Sequence, residues 1–256
     1  MNESIIQIIK DFLKPEDDES ITRVRVSSEI RLEQSFGIYG VENPSSITKL
    51  TVIGKMNRLD FKYIRKKISS NLQELDISEA SIDNNRIPNK AFDHCSKLTS
   101  IFLPNGISEI RKKTFSFCNS LTSISIPSSV HIIEELAFYR CTSLTSITIP
   151  ESVNEIKFRA FSDCSSLTTV TIPDSVINIG SAAFGNCISL SSVTLPESEI
   201  EIGNYVFNNC TSLTSIFIPK NVILIGEGVF ENCPAYITVH PDNPFYTSED
   251  GKLMSK

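Results

Sequence analysis

No apolar run in this 256-residue chain approaches the ~20 residues that a membrane-spanning helix requires, which excludes a helical span. The opening MNESIIQIIKDFL has neither a basic leader nor a small-residue cleavage site, so the chain reads as cytoplasmic. A cell-surface or secreted location is the alternative if the natural chain is longer or export is non-classical. There is no C-x-x-C pair, no H-E-x-x-H, no G-x-S-x-G and no phosphate-cradling glycine loop. Only three histidines occur, His94, His131 and His240, and none has a local or periodic partnership with Cys, Ser or carboxylates. The expectation is therefore no enzyme, no metal and no other cofactor. Positive charge is also short: 24 Lys and Arg against 30 Asp and Glu leave −6, so binding to nucleic acid or an anionic membrane has no global electrostatic support.

What the chain does have is a period. Cysteines stand at 95, 118, 141, 164, 187, 210 and 233, every interval being 23 residues. Phenylalanines recur from Phe92 to Phe230 and prolines from Pro104 to Pro219 at that same interval. Leu98 to Leu213, the column Ile101, Ile124, Ile147, Val170, Val193, Ile216, and the column from Leu103 to Ile218 run in phase. Such self-similarity is the signature of stacked repeats, each of which buries its apolar face only against its neighbours.

One repeat reads as follows. Ile147 and Ile149 alternate with Ser146 and Thr148, the period-2 pattern of a short strand with one buried face. Pro150 ends it, because a proline on every rung stops the inter-coil ladder along a whole column. Val153 and Ile156 mark a second extended or turning segment. Ala160, Phe161 and Cys164, at i, i+1 and i+4, suit one helical turn. Weaker strand patterns precede the array: Ile21, Val24, Val26; Ile47, Leu50, Val52; and Leu72, Leu75, Ile77, spaced by 25 to 26 residues. With a degraded copy near Tyr236 and Val239 they predict about ten rungs, a sheet roughly 45 Å long at about 4.8 Å per strand. Ile5, Ile8, Ile9, Phe12 and Leu13 form an apolar face at helical spacing, read as a cap on the first rung, with a partner-binding or membrane-surface helix as the alternative.

The pattern SLTSITIPxSVxxIxxxAFxxC, as in residues 143–164, resembles the BspA-type leucine-rich repeat family over residues 91–240. The resemblance implies an α/β repeat solenoid: a right-handed leucine-rich-repeat superhelix with a parallel concave β-sheet and short or helical turns on the other side. It also implies a role in binding other macromolecules, since known members include bacterial surface adhesins and proteins of mucosal parasitic protists. The run from Val239 to Tyr246, then Asp250 to Leu253, resembles the segment that follows the array in many relatives. The expected organisation is one continuous domain: 1–20 an N-terminal helical cap, 21–90 irregular leading repeats, 91–240 regular repeats, and 241–256 a C-terminal tail or cap. Departures are Glu199 at an apolar position, where Ile200 is expected to fill the pocket beside a bulge, Pro234 after the last cysteine, and glycine at only 180, 203 and 226 of its column.

In-register cysteines on adjacent coils hold Cβ atoms about 4.8 Å apart, beyond the roughly 3.5–4.5 Å of a disulfide. They are read as buried structural thiols. The outward strand positions form three columns: Phe102, Ser125, Thr148, Thr171, Thr194, Phe217 and then His240; Ser100, Ser123, Ser146, Thr169, Ser192, Ser215; and Thr99, Thr122, Thr145, Thr168, Ser191, Thr214. Two accounts stand side by side: short hydroxyl residues that suit exposed strands, or an uncharged hydrogen-bonding platform with Phe102 and Phe217 as aromatic anchors. The candidate binding residues are Phe102, Ser125, Thr148, Thr171, Thr194 and Phe217. Two basic clusters, Lys62, Arg65, Lys66, Lys67 and Arg111, Lys112, Lys113, are read as solvated edges, with an acidic partner or phosphate as the alternative; Glu134-Glu135 and Glu249-Asp250 are read likewise as solvated. The sequon Asn209-Cys210-Thr211 straddles a buried column and is set aside. The expected function is recognition of a protein or glycan ligand by a monomeric, adhesin-like module; an intracellular scaffold or regulatory interaction module is the alternative.

Overall fold

The computed structural model describes residues 21–27 and 30–256. The helical cap expected over residues 1–20 lies outside them. The chain winds as stacked coils, each giving one rung to a first parallel sheet. Ile21–Val26, Lys49–Met56, Glu74–Asp76 and Ser100–Phe102 are joined in that order. Single bridges Ser125↔Thr148 and Ser146↔Thr169 carry the ladder onward. Thr169–Thr171 then pairs with Ser192–Thr194, and Ser215–Ile218 with Tyr236–Val239. Alternation places Ile101, Ile147, Val170 and Ile216 in the core and their strand neighbours in solvent.

In the middle of the array proline ends the rung by opening a β-turn: the N–H groups of Val130, Val153 and Val176 donate to the carbonyls of Pro127, Pro150 and Pro173 at 3.0 Å. The chain then extends again. Glu109–Ile110, Ile132–Ile133, Glu155–Ile156, Asn178–Ile179, Ile200–Ile202 and Val222–Ile225 pair in parallel as a second sheet. Between the sheets and the turns lies the core, whose rings Phe115, Phe138, Phe161 and Phe184 stack at centroid spacings of 5.2, 5.1 and 5.2 Å. Near Glu199 the register slips between Ile200 and Glu201 against Val222–Ile225; Ile200 is buried and Glu199 exposed, as the departure predicts.

The helical turn expected at Ala160, Phe161 and Cys164 is absent. Arg159 and Asp163 stand in the left-handed region, at φ 52° and 62°. Ala160, Ser162 and Cys164 donate within their own coil to Lys157, Arg159 and Phe161, whereas Arg159, Phe161 and Asp163 donate to Ser181, Ala183 and Gly185 of the next coil at 2.8 to 3.0 Å. A helix would satisfy these N–H groups locally; here alternate ones stitch coil to coil. The left-handed pair recurs at Leu136 and Arg140, Ala182 and Asn186, and Tyr205 and Asn209. Each costs roughly 1–2 kcal/mol for a residue with a Cβ, which the interlocked backbone offsets.

Among the described residues, α-helix occurs only in the leading coils, at Leu32–Tyr39 and at Arg58–Tyr63, which runs on into a wide turn at Ile64–Ile68. The buried Asp60 carboxylate ties the two helices by accepting from the N–H groups of Leu32 and Asn57, both at 2.8 Å. The 26-residue alignment of the first two rungs is corrected: Val24 pairs with Val52 and Val26 with Gly54, a 28-residue offset. A shift of two preserves the strand's facing, so Val24, Val26 and Val52 are still buried. At the other end, an antiparallel hairpin, Tyr246–Glu249 with Lys252–Ser255, lies against the last rung, with Ile237 N–H donating to Gly251 at 2.9 Å. The Tyr246 hydroxyl accepts from the N–H of Ile225 at 2.7 Å, covering the edge of the second sheet.

Candidate functional site

Strand alternation brings Phe102, Ser125, Thr148, Thr171, Thr194 and Phe217 into one exposed column along the first sheet. Register aligns the column where its rungs pair, at Ser125↔Thr148 and Thr171↔Thr194, and extends it to Asp76↔Phe102 before it and Phe217↔Thr238 after it. His240 does not continue the column, because the interval falls from 23 to 21 residues at the last rung and Thr238 takes the place. The His240 ring instead meets Phe217 edge-on, 6.2 Å between centroids. The second column, from Ser100 to Ser215, gains Tyr236 through the pairing Ser215↔Tyr236. Phe102, Phe217 and Tyr236 are 59, 45 and 58% exposed, large values for aromatic rings on a sheet. The sequence marks Tyr236 only as part of a degraded strand copy and not as a ring on this face, because the shortened interval takes it out of the 23-residue phase.

The three hydroxyl columns differ in what they do. In the third, Thr99 donates to the carbonyl of Gln73, Thr122 to Thr99, Thr145 to Thr122 and Thr168 to Thr145, at 2.9 to 3.4 Å. Those hydroxyls are occupied by the stack itself. Among the described residues, Ser123, Ser125, Ser146, Thr148, Thr169, Thr171, Ser192 and Thr194 make no such side-chain bond. Their donors and acceptors face solvent on an uncharged strip, and charge returns only at its beginning, where Lys49 pairs with Glu74 at 3.3 Å.

The six buried members of the cysteine column are held as neutral thiols, and Cys233 is half-buried. All seven thiols are free, and each from Cys118 to Cys210 donates to the carbonyl of the phenylalanine 26 residues earlier at 3.2 to 3.3 Å. Burial pushes Cys95, Cys164 and Cys210 up to about 12 and Cys118, Cys141 and Cys187 well above the ordinary thiol range, which suppresses the nucleophilic thiolate. Among the described residues no group of three His, Cys, Asp or Glu is placed to hold a metal ion. No helix among them is long and apolar enough to cross a membrane. In the sequon, the Asn209 amide donates to Asn186 and Asn208 at 2.8 and 2.9 Å, so it is committed to its neighbours.

Four of the charges expected as solvated edges, Arg111, Lys112, Glu134 and Glu135, are partly exposed and also paired along the stack. Glu134 and Glu135 take Lys157 and Lys112 at 2.9 and 2.7 Å, and Glu109 sits between Arg86 and Arg111 at 3.4 and 3.5 Å. The hydrogen bond to Glu134 raises the Lys157 pKa against the opposing effect of burial. On the turn side, His94 stacks on Phe117 at 4.4 Å, Tyr139 meets Phe117 edge-on, and the Arg140 guanidinium lies 5.5 Å from both rings. The signal was readable, since His94, Phe117 and Arg140 each precede a cysteine by one residue.

Comparison with solved structures agrees with this geometry. The T. pallidum leucine-rich repeat protein superposes with a TM-score of 0.56 at 25% identity, over 87% of this chain and 86% of that one. A leucine-rich cell surface protein of Faecalibacterium prausnitzii A2-165 gives 0.54 at 30% identity, over 82% of this chain, which spans 47% of that protein. A leucine-rich repeat protein of Eubacterium ventriosum gives 0.58 at 23% identity, a likeness of fold alone. No curated protein matches the sequence. The model of the BspA type leucine-rich repeat region matches residues 62–167 and 132–247, in six copies. With 23-residue coils stacked in parallel and matched over most of its length, the chain belongs to the BspA-type leucine-rich repeat family of interaction modules.

Proposed function

We propose that this chain is a non-catalytic recognition module that holds a protein ligand against the outer face of its first sheet, in the manner of an adhesin. The carrying observation is the strip of unpartnered hydroxyls between Phe102 at one end and the Phe217–His240 pair at the other, with Tyr236 exposed in the neighbouring column. Rings supply anchors of large area and low entropy cost, and the hydroxyls between them supply hydrogen bonds. The backbone is fixed in advance by the stack, so association loses little conformational entropy. Glycan is the second ligand class this face suits, through the same hydroxyls. A surface location is supported by the likeness to the F. prausnitzii cell surface protein. The scaffold reading draws on the seven free thiols, which suit a reducing compartment.

The test replaces Phe102 and Phe217 by Ser and measures capture of surface and matrix proteins alongside thermal unfolding. Phe102 is 59% and Phe217 45% exposed, so stability should fall by about 1 kcal/mol or less while affinity falls by at least tenfold, the loss of about 1.4 kcal/mol. Unchanged affinity would overturn the assignment of this face. Antibody labelling of intact against permeabilised source cells separates the two locations.

A further inference from the structure

We infer that the leading coils carry a second site, away from the hydroxyl strip, that binds a sulfated oligosaccharide. A cavity of about 610 Å³ opens between Arg58–Tyr63 and the turn after Ala80–Ile82, and a second of about 300 Å³ adjoins it; Arg58, Phe61, Pro88 and Asn89 line both. Their walls bring together six cations, Arg58, Lys62, Arg65, Arg86, Lys90 and Arg111, and a single acid, Asp83. On a chain of net charge −6 that is a local reversal of sign.

The cations are positioned rather than merely gathered. Arg65 donates to the Lys90 carbonyl at 2.6 Å, and Glu109, outside the lining, pairs with both Arg86 and Arg111. Asp83 is already engaged by Lys55 at 3.4 Å, and Asp60 is turned inward onto backbone N–H groups. Arg58, Lys62 and Lys90 have no ion-pair partner among the described residues. Arg58 and Lys62 lie one helical turn apart, so their charges are offered along a line rather than at a point.

The remaining lining selects the ligand. Asn84 and Asn89 present amides, which donate and accept as sugar hydroxyls require, whereas the Asn57 oxygen already accepts from the N–H of Leu59 at 2.8 Å. Phe61 is buried, so no ring is free to stack a nucleobase, which disfavours single-stranded nucleic acid. Leu59 is the one strongly exposed apolar side chain in the lining, too little to anchor a protein. A chain of sulfate esters on a hydroxyl-rich backbone fits these walls best, because guanidinium forks bind such oxyanions bidentately.

The experiment is calorimetric titration of the full chain with a heparin-derived hexasaccharide. Its desulfated counterpart, inorganic sulfate at matched ionic strength, a single-stranded oligonucleotide and a polyglutamate peptide are run in parallel. Sulfated hexasaccharide alone should bind, and Arg58→Gln with Arg111→Gln should weaken it at least tenfold without changing thermal unfolding. Arg140→Gln with Arg159→Gln removes the same charge elsewhere and should leave binding intact. Equal losses in the two double variants would overturn the site, as would no binding of the hexasaccharide. Tighter binding of oligonucleotide or polyglutamate, or equal occupancy by sulfate alone, would overturn its ligand class.

Discussion

Truncating Phe161 to Ala tests the stacked core where it is tightest. Its ring is fully buried between Phe138 at 5.1 Å and Phe184 at 5.2 Å, nearly parallel to both, at 3° and 4°. The walls of the resulting void are pinned by inter-coil bonds, Phe161 N–H to Ala183 at 2.8 Å and Phe138 N–H to Ala160 at 2.7 Å, so they relax little. A buried Phe→Ala change costs about 3–5 kcal/mol, and the loss of two stacked pairs, about 0.5–1.5 kcal/mol each beyond burial, argues for the upper half of that range. Phe230 provides the contrast, being half-buried with one ring neighbour, Phe207, at 6.0 Å; there the same change should cost about 2 kcal/mol. Urea unfolding followed by far-ultraviolet circular dichroism measures both. Coils couple mainly to their neighbours, so Phe161→Ala should also broaden or split the transition, while Phe230→Ala should leave it single. Equal losses at the two sites, or a loss below about 1 kcal/mol at Phe161, would refute the picture of a continuous ring stack.

Thiol titration gives an independent check: at pH 8 a chromogenic thiol reagent should find the six buried cysteines silent until urea unfolds the chain, and rapid native labelling would contradict the buried column. The folded pKa values are raised, so the neutral thiols contribute fully below about pH 8.5. That contribution is lost as pH rises toward about 12, at about 1.4 kcal/mol per unit for each thiol, and an alkaline stability curve flat through this window would contradict it. Gly203→Ala should destabilise by about 1–3 kcal/mol, because its Cβ would lie 2.8 Å from the Ser181 nitrogen and 2.9 Å from the Ile179 oxygen, both backbone. Gly37→Ala, in the helix Leu32–Tyr39 with open space around it, should gain about 0.5–1 kcal/mol; calorimetric melting distinguishes the two, and a shared sign would count against the close coil approach. Asn243→Ala removes a buried amide that donates to Pro219 and Val222 and accepts from Phe245 and Tyr246. Amide exchange at Phe245, Tyr246 and Ile225 should accelerate at least tenfold, with Phe161 unaffected; protection unchanged at all three would show that Asn243 does not hold the hairpin.

Much of this protein is written in its sequence, because a 23-residue period converts each position into a column and hydrophobicity then says which columns face inward. The phenylalanine and cysteine ladders, the proline stops, the buried Ile200 beside Glu199 and the exposed column from Phe102 to Phe217 are all legible on that basis. Periodicity of two assigns a residue to a face but not to a rung, which is why the first two rungs pair at 28 residues and not 26. It is also silent about where backbone N–H groups go: the spacing of Ala160, Phe161 and Cys164 fits a helical turn, yet the next coil takes the Phe161 donor and leaves those of Ala160 and Cys164 to their own coil. Tyr236 stands out in the sequence only as part of a degraded strand, and Lys62, Arg65 and Arg111 only as members of two separate basic clusters; their placement as a surface ring and as one cleft needs the fold. Sequence thus determined the coils and their inward faces, since burial follows from composition at each repeat position. Tertiary structure alone decided which hydroxyls are left unpartnered, which charges are already paired and which rungs are neighbours, because those depend on contacts between residues more than twenty positions apart.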